Sequence, residues 1–350
     1  MSSDPLVIHA PNVHQGGGNT LLVALLRALA ADATGHLILD RRFQAPKPVP
    51  SGMMVSSFAS SLAGRWRAEA CLSRVVESAS RVICFGSLPP MRRCRGHVAV
   101  FVQNQNVIAR TDISEYPRKQ RLRIAFERLW FRQFSKNADQ FIVQTATMCD
   151  LLRRALGPDG DIRIAPLVPE ALLESHPARH AESRNAAKIH DFCYVSTGEP
   201  HKNHRRLIEA WILLAQQRRF PSLCLTVSPV AFPRLHRWIT GAKQRHGLNL
   251  DNVGYVPARR IDEIYASSRA VIYPALYESF GLPLLEARRH GLKLVAAERD
   301  YVRDIVEPDV SFDPTSARSI ARAVERFYHG VNIHPPLVDG QGFIRRLLAA

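Results

Sequence analysis

Short apolar runs alternate with longer amphipathic stretches along most of the chain. Leu6 to Ala10 is a nearly continuous apolar run, the form taken by a strand covered on both faces. Gly16-Gly17-Gly18-Asn19-Thr20 leads from it into an apolar helical stretch reaching about Ala31. Further runs of strand length lie at His36 to Asp40, Arg81 to Phe85, Val98 to Val102, Phe141 to Thr145 and Ile162 to Ala165, with helical patterns between most of them. Phe43 to Phe58 has four prolines or glycines in its first ten residues and reads as a loop. A second series begins at Asp191. Strands predicted at Phe192 to Ser196, Leu223 to Ser228, Val253 to Val256, Ala270 to Tyr273, Leu294 to Ala297 and Val310 to Phe312 again alternate with helices, and no sequence repeat is evident. Around 168 to 189 the chain loses its period, as a linker does. Alternation of this kind predicts an α/β protein of two doubly wound, Rossmann-like domains facing across a cleft. The expected division is residues 1–168, a linker at 169–189 and a second domain at 190–330, with 331–350 able to pack back on the first domain.

The length of 350 residues suffices for two domains, each with its own core, and the 46% hydrophobic content excludes a disordered chain. Six cysteines, at 71, 84, 94, 149, 193 and 224, include no C-x-x-C pair, and buried, reduced thiols are expected. Met1 to Pro5 is short and polar and reads as no leader, while Leu21 to Ala31 is interrupted by Arg27 and is too short to span a bilayer. A cytoplasmic chain is the expectation. The net charge of +16 calls for anionic partners: nucleic acid, lipid surfaces or phosphorylated substrates. Its densest patch is Arg118, Lys119, Arg121, Arg123, Arg128, Arg132 and Lys136, interleaved with Leu122, Ile124, Phe126, Leu129, Trp130, Phe131 and Phe134. That spacing predicts a helix with one apolar side and a basic remainder. Such a helix either packs on the core with a solvated basic face or docks peripherally on an anionic membrane.

Chemistry concentrates in Tyr277-Glu278-Ser279-Phe280-Gly281-Leu282-Pro283-Leu284-Leu285-Glu286-Ala287, where two glutamates eight residues apart flank a Gly-Leu-Pro turn. Pro283 suits the first helical position, which would put Glu286 in the first turn. Gly281 has no Cβ, so a ligand can approach the backbone there, and the N–H groups around Gly281 and Leu282 can point at phosphate oxygens. Carboxylates accept hydrogen bonds only, so Glu278 and Glu286 suit a ribose diol or sugar hydroxyls. Each could otherwise be a solvated helix-terminal acid, and the pair could be a general acid and base.

This stretch, with Asn252-Val253-Gly254-Tyr255-Val256-Pro257, Ile264-Tyr265, Ala270 to Pro274 and Gly291, is similar to the C-terminal half of retaining GT-B glycosyltransferases of the "group 1" or family four type. Val195-Ser196-Thr197-Gly198-Glu199-Pro200-His201-Lys202-Asn203 followed by Leu207-Ile208-Glu209-Ala210 resembles the phosphate-binding strand-loop-helix of the same family. The matches run from about 193 to 325. The resemblance implies the GT-B architecture, a nucleoside diphosphate sugar as donor, a glycan or lipid-linked acceptor and transfer with retention, without a metal or other cofactor. Bacterial surface polysaccharide or lipopolysaccharide assembly is the implied setting. Lys202 and Glu278 would be the principal catalytic-site groups, with Asn104 beside them. Thr197, His201, Lys202, Val256, Ser279, Phe280, Gly281, Leu282 and Glu286 would line the donor site, Glu286 on the ribose, and Gly17 and Gly18 would face it from the first domain.

The chain departs from the family twice. An arginine commonly precedes the lysine, and His201 stands here; many relatives carry a histidine after the fourth or fifth strand, where this chain has Gln103-Asn104-Gln105-Asn106. Amides are not general bases, but they hydrogen-bond sugar hydroxyls or ease a strand into a loop. These departures keep a catalytically silent relative in view. A sugar-nucleotide epimerase of the same architecture is a second alternative. Nucleic-acid binding fits the charge but lacks a recognised motif or a series of stacking aromatics.

Overall fold

The computed structural model describes residues 4–109, 111–157, 160–173 and 188–329. In the first domain the strands are β1 (Leu6–Ala10), β2 (Gly35–Asp40), β3 (Met53–Phe58), β4 (Arg81–Cys84), β5 (His97–Phe101), β6 (Gln140–Val143) and β7 (Ile162–Ile164), in the sheet order β3-β2-β1-β4-β5-β6-β7. The second domain has β8 (His190–Tyr194), β9 (Leu223–Leu225), β10 (Leu250–Asn252), β11 (Ser268–Tyr273), β12 (Lys293–Ala297) and β13 (Val310–Phe312), in the order β10-β9-β8-β11-β12-β13. All strand pairs in both sheets are parallel. Helices cover both faces, so strands such as β1, β2 and β12 carry buried residues in succession and read as apolar runs. The strand order reverses between β1 and β4 and again between β8 and β11. Crevices that take ligands in open α/β sheets lie outside the carboxyl ends of the strands at such points.

Two expected elements differ. The last six residues of the predicted loop at 43–58 form β3, a largely exposed edge strand that pairs with β2 from Gly35↔Met53 to Asp40↔Phe58. Its prolines all precede it, so the ladder is intact. The strand expected at Val253 to Val256 lies earlier, at β10. Asn252 ends it: its side chain accepts from Val227 N at 2.9 Å and donates to Val227 O at 3.0 Å, and Gly254 at φ +75° then turns the chain. The C-terminal segment 331–350 and residues 174–187 of the expected linker lie outside the described residues; Glu170–Leu172 forms a short 3-10 turn.

Helix α1 (Gly16–Arg27) begins directly at the glycine run. Helices α2 (Leu62–Val75) and α5 (Ala146–Leu156) are capped by Ser61 and Thr145, whose hydroxyls accept from Gly64 N and Met148 N. Each such cap is worth about 1 kcal/mol. Between them lie α3 (Gln105–Ile108) and α4 (Arg118–Phe134). The second domain has its own core around Phe192, Tyr194, Trp211 and Tyr273. Phe280 and Leu282 pack instead with Ile8, Leu22, Phe85 and Phe101, so the apolar part of the Gly-Leu-Pro motif is buried against the first domain. All six cysteines are free, four buried and two half-buried. Among the described residues no helix is long and apolar enough to cross a membrane.

The apolar side expected on α4 is split. Ile124, Trp130 and Phe131 are buried, while Leu122, Phe126 and Leu129 are exposed beside Arg118, Lys119, Arg121, Arg123 and Arg132. Arg128 does not join that basic face. Its guanidinium turns inward and donates to Asn106 O at 2.8 Å and to Thr111 O and Oγ1 at 3.2 and 3.0 Å.

Candidate active site

After β8 the chain makes a 3-10 turn at Pro200–Lys202, which Asn203 ends in the left-handed region at φ 63°. Asn203 Nδ2 donates to Pro274 O at 3.0 Å and Pro314 O at 2.7 Å, tying this loop to the one after β11. Gly198 is needed where the loop passes over Phe232, because a Cβ would lie 2.6 Å from Phe232 Cγ. The two loops meet in an ion pair between Lys202 Nζ and Glu278 Oε1, with side chains only 16% and 12% exposed. Glu278 Oε1 also accepts from Tyr273 OH at 3.0 Å. A lysine and a glutamate from opposite sides of the β8/β11 switch point thus converge on one small volume.

Gly281 is the residue before helix α9 (Leu282–Arg289) and has φ +90°, a conformation that L side chains adopt at a cost. The helix starts at Leu282, one residue before the expected start at Pro283. Glu286 therefore sits beyond the first turn, as the fifth helical residue, half-buried beside helix α8 (Ala258–Ala266). There Tyr265 OH donates to Glu286 Oε2 at 3.0 Å. Burial pushes the Glu286 carboxyl above its ordinary range, and Asp262 adds to that, opposed by the Tyr265 hydrogen bond and the Arg289 charge. A carboxylate held this way is short of partners and suits a ligand diol.

Four buried tyrosines underlie the site. Tyr273 and Tyr265 hold the two glutamates, Tyr194 OH donates to Lys202 O at 2.9 Å, and Tyr301 OH donates to Ala275 O at 2.9 Å. Tyr265 and Tyr273 entered the sequence reading only within the family match, Tyr194 only within a predicted strand and Tyr301 not at all; the one local signal of a supporting role is a tyrosine closing a strand, as Tyr194 and Tyr273 do.

The first domain supplies the opposite wall. A Cβ on Gly17 would stand 3.7 Å from Leu282 Cδ1, and one on Gly18 3.4 Å from Gln103 Oε1, so the start of α1 lies against the motif. Gln105 N donates to Ser279 Oγ at 3.2 Å. Asn104 caps α3, accepting from Asn106 N at 3.0 Å, which is the loop-forming alternative for this residue. Val256 lies in the loop after β10, half-buried, and Thr197 Oγ1 donates to Glu199. The side chains of Phe280 and Leu282 are core, leaving their backbone as the part available to a ligand.

His201 differs from a phosphate-binding cation. Burial, with the Lys202 charge adding, lowers its pKa to about 4, so the ring is neutral at pH 7. It stacks on Tyr277 with centroids 4.8 Å apart. His204, behind it, is neutral too, its pKa lowered to about 3 mainly by burial. A cavity of about 1220 Å³ opens on the outer side of His201, lined by Tyr116, Arg118, Phe232, Arg234 and Tyr277 but not by Glu278 or Glu286. No metal-ligand cluster was expected from local motifs. Among the described residues His190, Cys224 and Asp251 bring potential ligand atoms within 4.8 Å of one another across β8, β9 and β10, outside the donor-side loops.

The chain matches known proteins in three ways. An Escherichia coli O-antigen chain mannosyltransferase B is 30% identical over 130 residues, 37% of this chain and 34% of that protein; the chain thus matches only about a third of that relative's length. Among solved structures, Anabaena HepE in complex with UDP and glucose superimposes with a TM-score of 0.67 at 15% identity, covering 93% of this chain and 90% of that one. WaaG, a glycosyltransferase involved in lipopolysaccharide biosynthesis, does so with a TM-score of 0.63 at 14% identity, covering 92% and 91%. These likenesses identify the two-sheet architecture as the GT-B fold. Residues 177–333, which carry Lys202, Glu278 and Glu286, match the model of the glycosyl transferases group 1.

Proposed function

We propose that the protein transfers a sugar from a nucleoside diphosphate sugar to an acceptor hydroxyl with retention at the anomeric carbon, in assembly of a bacterial surface polysaccharide. The observation that carries this reading is the meeting of Lys202 and Glu278 at the β8/β11 switch point, beside the amino end of α9. A bound diphosphate takes Lys202 as its counter-charge, and the N–H groups around Gly281 and Leu282 add to it, stabilising charge that develops on the leaving group. Glu278, released from Lys202, accepts from donor sugar hydroxyls while Tyr273 keeps it oriented. Glu286 accepts from the ribose. The carboxylates are thus ligands for the donor rather than a general acid and base. In the front-face mechanism implied by the family resemblance, the departing diphosphate helps take the acceptor proton, and the reading requires no metal. The matched relative is a mannosyltransferase, which makes a mannosyl donor the first to test.

The acceptor is read as a glycan or lipid-linked glycan. The exposed Leu122, Phe126 and Leu129 with the basic residues around them support docking of α4 on an anionic membrane. A thermal-shift panel of UDP-, GDP-, ADP- and TDP-sugars tests the donor reading, because a ligand of the folded state raises the melting temperature. No shift with any of them counts against it. A shift without transfer to any acceptor points to a silent relative, and a changed donor without an acceptor points to an epimerase. Flotation with anionic but not zwitterionic vesicles, abolished in Leu122→Ser/Phe126→Ser, tests the membrane reading.

A further inference from the structure

Three rings stand nearly parallel across the domain boundary. Tyr116 of the first domain and His201 of the second have centroids 6.3 Å apart and planes 9° apart; His201 and Tyr277 follow at 4.8 Å and 14°. Their polar atoms form a chain: His201 Nδ1 is 2.7 Å from Tyr116 OH, Tyr116 OH is 3.1 Å from Tyr277 OH, and Tyr277 OH is 3.1 Å from Asn106 Oδ1. Asn106 Oδ1 accepts only, so Tyr277 donates to it. Tyr277 oxygen must then accept from Tyr116, and Tyr116 oxygen must accept from a proton on His201 Nδ1. With Asn106 in this orientation, that assignment places one proton in each contact. The tautomer of His201 follows, and the chain is polarised in one direction, which strengthens each bond in it.

Both ends are anchored. Asn106 Oδ1 also accepts from Thr111 Oγ1 at 2.7 Å, and Arg128 clamps that loop by its bonds to Asn106 and Thr111. On the other side Leu276 N donates to His201 O at 2.8 Å. His201 is covalently next to Lys202, and Tyr277 next to Glu278, so the clasp grips the two residues that flank the reacting groups.

We infer that Tyr116, His201 and Tyr277 form an interdomain clasp that holds the two domains closed and sets Lys202 and Glu278 in position for the donor. The clasp rests on the proposed donor site, and it gives the histidine that replaces the family's arginine a role of its own. These are positioning residues: they order the closed state without contacting the reacting atoms. Opening the clasp reduces the fraction of molecules ready to bind, and apparent donor affinity falls by that fraction.

The test compares wild type, Tyr116→Phe and Tyr116→Ala. Tyr116→Phe keeps the stacked ring and fold but deletes two links of the chain. Hydrogen–deuterium exchange without donor is expected to rise in residues 104–109 and 199–203 in both variants, more in Tyr116→Ala, and small-angle scattering to show a larger radius of gyration. With donor, apparent affinity is expected to fall roughly tenfold in Tyr116→Phe, while kcat at saturating donor stays near wild type. Unchanged exchange and scattering in both variants would overturn the clasp. If wild type binds no nucleotide sugar, the donor reading fails, yet the exchange and scattering results still decide the clasp. A kcat collapse at saturating donor with a closed wild-type-like scattering profile would also refute it, by making Tyr116 part of the chemistry.

Discussion

Glu286→Gln separates ligand binding from folding, because the two respond with opposite sign. In the folded protein Glu286 is half-buried, accepts from Tyr265 OH at 3.0 Å, and has its carboxyl shifted upward by desolvation. Glutamine keeps the shape, and its amide oxygen can turn towards Tyr265, so no donor is orphaned. The charge is lost. A hydrogen bond to a charged acceptor contributes about 1.5–3 kcal/mol against about 0.5–1.5 for a neutral one. The variant should therefore lose about 1–2 kcal/mol of donor binding, or about 5- to 30-fold in Kd. Stability moves the other way. A raised carboxyl pKa contributes stability that is present below the unfolded value of 4.5 and lost as pH rises through the folded pKa. At pH 7 the variant should thus melt at or above the wild-type temperature, with the difference shrinking at pH 4. Calorimetric titration with UDP and GDP, paired with melts at the two pH values, measures both. Wild-type affinity in a folded variant would remove Glu286 from the donor site, and a lower melting temperature at pH 7 would refute the desolvation argument.

Lys202→Met removes the counter-charge of the diphosphate and should slow single-turnover transfer by about a hundredfold or more; a rate close to wild type would sink its assignment. Gly281→Ala forces an L side chain to φ +90° with Ile305 Cδ1 3.3 Å from the new Cβ, and should cost about 1–2 kcal/mol in urea unfolding. Trp211 is 1% exposed, and its indole donates to Pro221 O at 2.8 Å, so Trp211→Ala should cost about 3–5 kcal/mol and unfold the second domain first, a loss that exchange mapping would localise. His9, His201 and His204 are all held neutral by burial, below the ordinary 6.5. The unfolded chain binds protons there first, so stability should fall as pH drops from 6.5 towards 4, by about 1.4 kcal/mol per pH unit for each histidine. A flat profile over that window would mean that these rings are not buried as neutral groups.

The apolar runs of β1, β2, β12 and β13 were legible because a strand buried on both faces needs nothing but consecutive apolar residues, and parallel sheets follow from the helices between them. The Glu278–Glu286 motif and Lys202 were legible as chemistry because a glycine, a proline and two acids in order are a local pattern. The misses have tertiary causes. β3 was hidden behind prolines that precede it, and β10 was displaced because Asn252 satisfies Val227 with its side chain. That the side chains of Phe280 and Leu282 are buried against the first domain, leaving only their backbone to a ligand, was not visible either.

The alternation of strands and helices, apart from β3 and the place of β10, and the motif that carries the two carboxylates were determined by the sequence alone, since each depends on residues near one another in the chain. The pairing of Lys202 with Glu278 across 76 positions, the tyrosines beneath the site, the burial that raises Glu286 and neutralises His201, and the stacking of Tyr116 on His201 were decided only by the tertiary structure. Desolvation and interdomain contact depend on what packs from elsewhere, and no local pattern encodes that.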